Sequence, residues 1–296
     1  MPERLRFTVP QAYDQKPAKY FLKGFCGLST RMITSLKREK EGITANGKIL
    51  RTIDPVIAGQ EVVITLPEED SPYIEPVEGE LAVVYEDSFL LVADKPPYMP
   101  VHPVKQYQTD TLANRVAAYS RSRGERYVFR ALNRLDRNTS GLVVIAKDRF
   151  TVNKLKNRVR KTYYALVHGE VTEGGVVRAP IGLLKDSKIV RHVLPEGTPA
   201  VTHYEVVFSN KEYSLLRLWL ETGKTHQIRC HMASIGHPLL GDDLYGGSNE
   251  RMQRQALHCA EMNFIHPVTG EKIELRAEPP QDFVIAMSGQ SDSEIR

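Results

Sequence analysis

The sequence predicts an α+β protein with a small α+β module in front of a larger α+β domain. A chain of 296 residues is long enough for one small and one medium domain. Strand and helix patterns follow one another without a regular βαβ alternation, which favours α+β over a doubly wound sheet. The expected parts are a small module at residues 1–66, a linker at 67–80, the larger domain at 81–288 and a frayed tail at 289–296.

The linker is predicted from composition and charge. Residues 67–80, PEEDSPYIEPVEGE, hold six acids and three prolines and no basic residue.

Residues 101–161 hold fifteen Lys and Arg against four Asp and Glu, a net charge of +11, whereas the whole chain carries +4. A concentrated basic face suits a polyphosphate ligand such as RNA, although such runs are also common on solvated helix faces.

In the module, LSTRMITSLKREKEG at 28–42 has apolar residues at helical spacing. We expect a helix that Ser29 caps and Gly42 ends. ITANGKIL at 43–50 predicts a hairpin with its turn at Asn46-Gly47, and VIAGQEVVITL predicts a closing strand. The module is therefore expected to be a helix packed on a small antiparallel sheet.

Four basic residues of this segment can lie on the side of the helix away from its apolar stripe: Arg31, Lys37, Arg38 and Lys40. The segment is either a packing subdomain or an RNA-binding module. It resembles the alpha-L RNA-binding module of a ribosomal small-subunit protein, in which a basic helix and an Asn-Gly hairpin dock on folded RNA.

The larger domain begins with two apolar runs, 81–85 and 89–93, separated by a turn at Asp87. A helix is expected at 111–120 and a second, basic helix from about Asp148 to Arg160. Further β-type runs predict strands at 162–171, 202–210 and 213–222. A helix is then expected at 226–236, where Gly-His-Pro ends it. Two last strands are expected on either side of a turn at 267–270.

Several function classes lack their motifs. The chain has no G-x-G-x-x-G, no G-x-x-x-x-G-K-[ST] and no G-x-S-x-G, which argues against nucleotide cofactors and a Ser-His-Asp hydrolase. No metal site is expected, because the spacing of His226, Cys230, His231, His237, His258 and Cys259 matches no familiar zinc pattern. Three cysteines without a C-x-x-C pair, and a start without an apolar h-region, predict a soluble cytoplasmic protein.

A lone carboxylate, Asp136, lies between Arg134 and Arg137 just before an apolar strand. Guanidinium neighbours favour the ionised form of a carboxylate, which could then act as a nucleophile. Alternatively, Asp136 caps a turn or forms a structural ion pair with one of the arginines. The residues alone leave both interpretations open.

Three segments, in this order, closely resemble the RluA-type pseudouridine synthases: NRLDRNTSGLVVIAKD at 133–148, KTYYA at 161–165 and ETGKTHQIRCHMASIGHPLLGDDLYGG at 221–247. The resemblance extends over about 81–284 through YEDSFLLVADKP, PVHP, RQALHC and P-P-x-D-F. It implies a mixed, largely antiparallel sheet with flanking helices, and an enzyme that isomerises uridine to pseudouridine without a cofactor. The expected partner is ribosomal RNA, or else transfer RNA, and the expected state is a monomer.

The resemblance also implies roles for residues. Asp136 matches the catalytic aspartate, which attacks C1′ of the ribose or C6 of the base. Tyr163 matches the tyrosine that stacks on the base and helps to remove the C5 proton, and Arg229 matches the arginine that pairs with the aspartate. Arg134 matches an arginine that displaces or replaces the flipped nucleotide. Further substrate contacts are expected from Arg137, Lys161, Lys224 and His226.

Three positions depart from the family pattern. Asn133 stands where many members have His, Lys224 replaces an Arg and loses its bidentate fork, and Tyr98 stands where Gly is common. Substrate choice is where we expect their effect. A noncatalytic RNA-binding or ribosome-assembly factor on the same fold is the alternative function, and an RNA N-glycosylase is a more distant one.

Overall fold

The computed structural model describes residues 3–67, 73–185, 187 and 189–288. Its N-terminal part forms a four-stranded antiparallel sheet in the order β1-β4-β2-β3 with two short helices. The elements are β1 Arg4–Thr8, α1 Ala18–Gly24, α2 Thr30–Leu36, β2 Ile43–Ala45, β3 Lys48–Ile49 and β4 Glu61–Thr65.

The following part forms a ten-stranded sheet, a two-stranded ribbon and four helices in the described residues. The elements are β5 Ala82–Glu86, β6 Leu90–Lys95, α3 Leu112–Ser122, β7 Arg130–Ala131, β8 Ser140–Ala146, α4 Arg149–Leu155, β9 Arg160–His168, β10 Gly175–Arg178, β11 Ile181–Leu183, β12 Arg191–Val193, β13 Val201–Ser209, β14 Tyr213–Leu220, α5 Gln227–Ser234, β15 Leu257–Ile265, β16 Lys272–Arg276 and α6 Gln281–Ser288.

The strand order of the large sheet is β10-β13-β14-β9-β15-β8-β6-β5, with β16 beside β15 and β7 beside β8. Among the described pairs of this sheet, β8 with β15 is parallel and the others are antiparallel. The predicted α+β class, with a mixed and largely antiparallel sheet, is confirmed. The buried strand β8 lies near the middle of this sheet, and all seven of its residues are buried.

Two main apolar cores follow from this arrangement. The larger one is built on the central strands of the ten-stranded sheet and on α3 and α5. The smaller one fills the N-terminal part, where Phe21, Leu22 and Ile64 are fully buried. Phe150 of α4 is also buried in the smaller core. The N-terminal part therefore packs directly against α4.

In the N-terminal part, two local predictions are confirmed. The Ser29 side chain accepts a hydrogen bond from the Met32 amide at 3.2 Å and so caps α2. Asn46 and Gly47 have φ angles of 48° and 76°, as a tight hairpin turn between β2 and β3 requires.

The predicted end of the first helix is wrong. α2 ends at Leu36 instead of Gly42, because the charged run after it offers no apolar side chain for packing. Tight turn bonds follow, from the amide of Arg38 to the carbonyl of Ser35 and from that of Glu39 to that of Leu36. Lys37, Arg38 and Lys40 are exposed in this turn and not on the helix, whereas Arg31 is exposed on α2.

The predicted helix at 148–160 is also too long. Asp148 caps α4 by accepting from the Thr151 amide at 2.8 Å, but α4 ends at Leu155. Asn157 then takes a φ of 60°, which a right-handed helix does not allow, and Arg160 already belongs to β9. Sequence reasoning did not predict β1, α1, β7, β10, β11, β12 or α6.

The predicted linker and tail are described only in part, since residues 68–72 and 289–296 lie outside the described residues. Behind that gap the chain is fixed on α3: the Asn114 side chain donates to the carbonyl of Glu75 at 2.7 Å, and the Val77 amide donates to the carbonyl of Asn114 at 3.2 Å. The domain boundaries stay predictions. No helix in the described ranges has the length and apolar character that a membrane crossing needs.

Candidate active site

Asp136 lies in the loop between β7 and β8, directly before the most buried strand of the sheet. The next strand along the sheet, β15, comes unusually close there. Gly141 pairs with Cys259 and has a φ of 110°, and a Cβ atom on Gly141 would lie 2.3 Å from the Cys259 carbonyl oxygen. Glycine at this position thus allows β8 and β15 to pair where the loop ends.

Two buried cations hold the backbone of the Asp136 loop. The Lys95 ammonium donates to the carbonyls of Pro96 at 2.8 Å and Arg137 at 3.2 Å. The Arg254 guanidinium donates to the carbonyl of Asn138 at 2.9 Å and forms a bidentate pair with Asp282 at 2.7 and 2.9 Å. These bonds fix the loop from two sides, so the position of the Asp136 carboxylate is set by the buried structure beneath it.

The electrostatics of Lys95 are unusual because its side chain is fully buried. Burial, together with the nearby Arg254 guanidinium, lowers the pKa of Lys95 to about 7. The charges of Asp136 and Asp94 act in the opposite direction. The amine therefore changes its protonation near neutral pH while it holds two carbonyls.

Arg229, on α5, contacts two carboxylates. Its Nη1 lies 3.1 Å from Oδ2 of Asp136, and its Nε and Nη2 each lie 2.7 Å from an oxygen of Asp242. Burial alone would lower the pKa of Arg229, but the hydrogen bonds and charges of Asp242 and Asp136 raise it above its usual value. Arg229 is therefore a fixed cation beside Asp136, and the contact expected between these two residues is present.

His226 approaches Asp136 from the N-terminal end of α5. It has a left-handed backbone with φ 57°, and its Nε2 lies 3.7 Å from Oδ2 of Asp136. The Tyr245 hydroxyl accepts from the Arg191 amide at 3.0 Å and lies within hydrogen-bond distance, 3.0 Å, of Nδ1 of His226. Burial lowers the pKa of His226, and the Asp136 charge opposes this.

Tyr163 lies on β9, opposite Leu218 of β14 and Cys259 of β15. Its side chain is buried, and burial raises the pKa of its phenol well above the usual value, with Cys259 and Asp136 adding to the effect. Tyr163 is therefore a protonated phenol whose surroundings include the Asp136 charge.

The remaining predicted residues lie on three elements. Arg134 and Arg137 are exposed on the Asp136 loop, with the Arg137 guanidinium 4.8 Å from the ring centre of Tyr107. Lys161 is half-buried on β9, and burial lowers its pKa. Lys224 is exposed before α5, where its amide donates to the Gln227 side chain at 3.0 Å.

Sequence reasoning quoted other residues of the site within motifs but gave them no role. They are Lys95, Asp242, Tyr245, Arg254 and Asp282. For Lys95 the signal was a charge at the end of an apolar stretch, but the carbonyl of Arg137 that it binds is distant in the chain, so spacing could not reveal the contact. Asn133 fastens its loop to β8. Its side-chain amide accepts a hydrogen bond from the Val144 backbone amide at 2.9 Å and donates one to the Leu142 carbonyl at 3.1 Å, as a neighbouring strand would.

Two buried histidines of the sequence cluster are engaged in neutral hydrogen bonds. His231 contacts the Thr202 hydroxyl and the Ala179 carbonyl, both at 2.9 Å, and His258 contacts the Ser140 hydroxyl and the Ala277 carbonyl, both at 3.0 Å. Within the described ranges, no group of three His, Cys, Asp or Glu side chains is arranged to hold a metal ion.

The sequence profile of the family described as RNA pseudouridylate synthase matches residues 89–234, which include the Asp136 loop, Tyr163 and Arg229. An uncharacterized RNA pseudouridine synthase of Bacillus subtilis, YjbO, is 38% identical over 277 residues that cover 90% of this chain and 97% of that protein. The chain belongs to the RNA pseudouridine synthases. As a pseudouridine synthase it is an enzyme that isomerises uridine in RNA.

Other relatives agree with this assignment. The ribosomal large subunit pseudouridine synthase D of Pasteurella multocida is 39% identical over 248 residues, which cover 77% of this chain and 76% of that protein. Among solved structures, human RNA pseudouridylate synthase domain containing 4 matches with a TM-score of 0.56 and 25% identity, over 70% of this pseudouridine synthase and 92% of that chain. The α+β catalytic fold is therefore that of the RluA-type pseudouridine synthases.

Proposed function

We propose that this enzyme converts specific uridines of ribosomal RNA to pseudouridine with Asp136 as the nucleophile. The observation that carries the proposal is the Asp136 carboxylate, 28% exposed and held at 3.1 Å by the buried Arg229. An ionised carboxylate that is fixed by a guanidinium and open on one side is suited to attack a bound nucleoside.

The chemistry needs no oxidant, reductant or cofactor. Asp136 attacks C1′ and displaces the uracil at N1, or it attacks C6 of the base. In either case the bond between N1 and C1′ breaks, the uracil turns and C5 bonds to C1′. The bond that Asp136 formed to C1′ or C6 breaks, which returns the free carboxylate, and C5 loses its proton while N1 gains one. In the described part of the chain, Arg229 and His226 both contact Oδ2 of Asp136, so we assign the attack to Oδ1.

Two neighbours support this assignment. Tyr163 offers a buried aromatic ring and a protonated phenol within the electrostatic range of the carboxylate, which suits stacking on the uracil. Arg134 is exposed on the same loop and can take the place of a nucleotide that leaves the RNA stack. Base flipping is required because the carboxylate cannot reach C1′ or C6 of a stacked uridine, and flipping is easiest in loops.

Ribosomal RNA is proposed as the substrate because several relatives are named for the large ribosomal subunit.

The N-terminal part is proposed as a second RNA contact. Lys37, Arg38 and Lys40 are exposed in the turn after α2, and Arg31 and Arg149 line a cleft of about 430 Å³ between α2 and α4. Basic side chains on both walls of a cleft suit a phosphate backbone.

The first test replaces Asp136 with Asn. We expect pseudouridine formation to fall at least about a thousandfold, equivalent to about 4 kcal/mol of transition-state stabilisation. RNA binding and thermal stability should be kept, because Arg229 retains its bidentate partner Asp242. The measurement is pseudouridine formed per folded enzyme on total RNA from cells that lack the protein.

The matched control is Asp243→Asn, which changes an exposed carboxylate near the site and should leave the rate unchanged. Turnover near the wild-type rate in Asp136→Asn would refute the nucleophile. Release of free uracil by the wild-type enzyme would indicate N-glycoside hydrolysis in place of isomerisation.

A further inference from the structure

Tyr98, Arg137 and Tyr107 form a cluster at the surface beside the Asp136 loop. The Arg137 guanidinium lies 4.8 Å from the ring centre of Tyr107 and 6.0 Å from that of Tyr98. Tyr98 is 45% exposed, Arg137 is exposed and Tyr107 is half-buried. We call this cluster the Tyr98 platform. It combines two aromatic rings with one cation.

The backbone of Tyr98 is strained in a way that packing does not explain. Its φ of 65° is rare for any residue other than glycine and is rarer still for a bulky one. The exposed ring gains little from burial in return. Strained residues of this kind concentrate at functional sites, where the surrounding structure holds a side chain in position for a ligand.

The platform is fixed relative to Asp136 through the backbone. The Lys95 ammonium donates to the carbonyls of both Pro96 and Arg137, so it joins the turn that carries Tyr98 to the loop that carries Asp136. Arg137 is also the next residue after Asp136 in the chain. We therefore expect a ligand on the platform to lie close to the nucleoside that Asp136 attacks.

We propose that the Tyr98 platform stacks on an unpaired base that flanks the target uridine. The inference rests on the proposed function, since it takes the flipped uridine to lie at Asp136. RNA is the substrate class of this enzyme, and unpaired RNA bases stack on tyrosine rings and on guanidinium planes. Stacking is tolerant of base identity, so the platform selects a flipped target within a single-stranded loop over one within a helix.

The first experiment compares Tyr98→Gly, which removes the ring and relieves the backbone, with Tyr98→Phe, which keeps the ring. On total RNA from cells lacking the protein, Tyr98→Gly should raise the half-saturating RNA concentration about tenfold, with the maximal rate within about threefold of wild type. Tyr98→Phe should behave as wild type. Tyr73→Gly, at a 94% exposed tyrosine outside the platform, is the matched control.

The second experiment uses a synthetic RNA hairpin whose loop carries one uridine flanked by 2-aminopurine, a base whose fluorescence falls when it stacks. Wild type and Tyr98→Phe should quench the signal, and Tyr98→Gly should not. If the flank is made abasic, the affinity of wild type should drop to that of Tyr98→Gly. A loss from Tyr98→Gly that is equally large on the abasic hairpin would overturn the platform and leave a structural role.

The two proposals fail in different ways. Quenching that depends on the Tyr98 ring supports the platform even if Asp136→Asn retains activity, in which case only the nucleophile assignment is overturned. Full activity in wild type with equal quenching by wild type and Tyr98→Gly overturns the platform alone.

Discussion

At the scale of single residues, Arg229 is shared unequally between two carboxylates. Asp242 receives two bonds of 2.7 Å and its side chain is fully buried, whereas Asp136 receives one bond of 3.1 Å and is 28% exposed. Asp242 therefore compensates the buried guanidinium, and Asp136 keeps the freedom to react. The two acids share Arg229 as a partner, but we expect Asp242 to matter for stability and Asp136 for catalysis.

Replacement of each acid by alanine tests this division. Asp242→Ala leaves a buried guanidinium without its main partner and should lower the free energy of unfolding by about 3 to 5 kcal/mol. Asp136→Ala removes one partly exposed hydrogen bond and should lower it by about 1 kcal/mol. Urea unfolding measures both, with Asp243→Ala as the control.

A double variant tests the contact between Asp242 and Arg229 directly. Because Asp242 and Arg229 are in direct contact, the destabilisation by Asp242→Ala should shrink in an Arg229→Ala background. Equal destabilisation by the two single aspartate variants would contradict the unequal sharing of Arg229.

At the scale of elements, apolar spacing and capping residues predicted most helices and strands of the larger domain. Helix starts were predictable from local chemistry, as at Ser29 and Asp148, because a cap bonds within its own first turn. The ends of α2 and α4 were not predictable in this way, because these helices stop where packing stops. Strand β1 was not predicted, because its partner β4 lies far along the chain, with Leu5 opposite Ile64.

The same distinction applies to the site. Motifs identified Asp136, Tyr163 and Arg229 as candidates through their resemblance to a family. They did not reveal that Arg254 reaches the carbonyl of Asn138, a contact between residues 116 positions apart. Bonds between distant residues depend on strand order, which local patterns do not contain.

The turn after α2 gives a prediction for the N-terminal part. Lys37→Gln with Arg38→Gln should weaken RNA binding and reduce the slope of log affinity against log salt, by about 0.7 to 0.9 for each phosphate that the turn no longer neutralises. Lys211→Gln with Lys272→Gln removes the same charge from the larger domain and is the control. An unchanged slope in the first pair would contradict RNA binding by this turn.

These substitutions are preferable to removing residues 1–70. Phe150 of α4 belongs to the N-terminal core, so truncation would expose an apolar side chain of the larger domain. Weaker binding after truncation could then reflect damage to α4 and not the removal of cations that bind phosphate.

At the scale of the whole molecule, buried histidines predict sensitivity to mild acid. His231 and His258 are fully buried, and burial lowers the pKa of both below 6.5, although their bonds to backbone carbonyls oppose this. As pH falls below about 6.5 the unfolded chain takes up protons that the folded chain does not bind. Stability should therefore fall with pH, by up to about 1.4 kcal/mol per pH unit for each histidine.

Unfolding by urea between about pH 7 and pH 5.5 measures this slope. His258→Gln should flatten it, because the unfolded chain then has one proton fewer to gain. His192→Gln, at an exposed histidine, removes the same residue type from the surface and is the control. A stability that stays constant or rises toward pH 5.5 would contradict the prediction.

Strand β15 has a further consequence for how the protein is made. It pairs with β9 on one side and with β8 on the other, so it joins the two halves of the large sheet, yet it spans Leu257–Ile265, far along the chain from both partners. During synthesis, β8 and β9 leave the ribosome long before the strand that must lie between them. The gap beside Gly141 and Tyr163 closes only when β15 pairs there, so the nascent enzyme has no assembled active site until residues 257–265 have been synthesised.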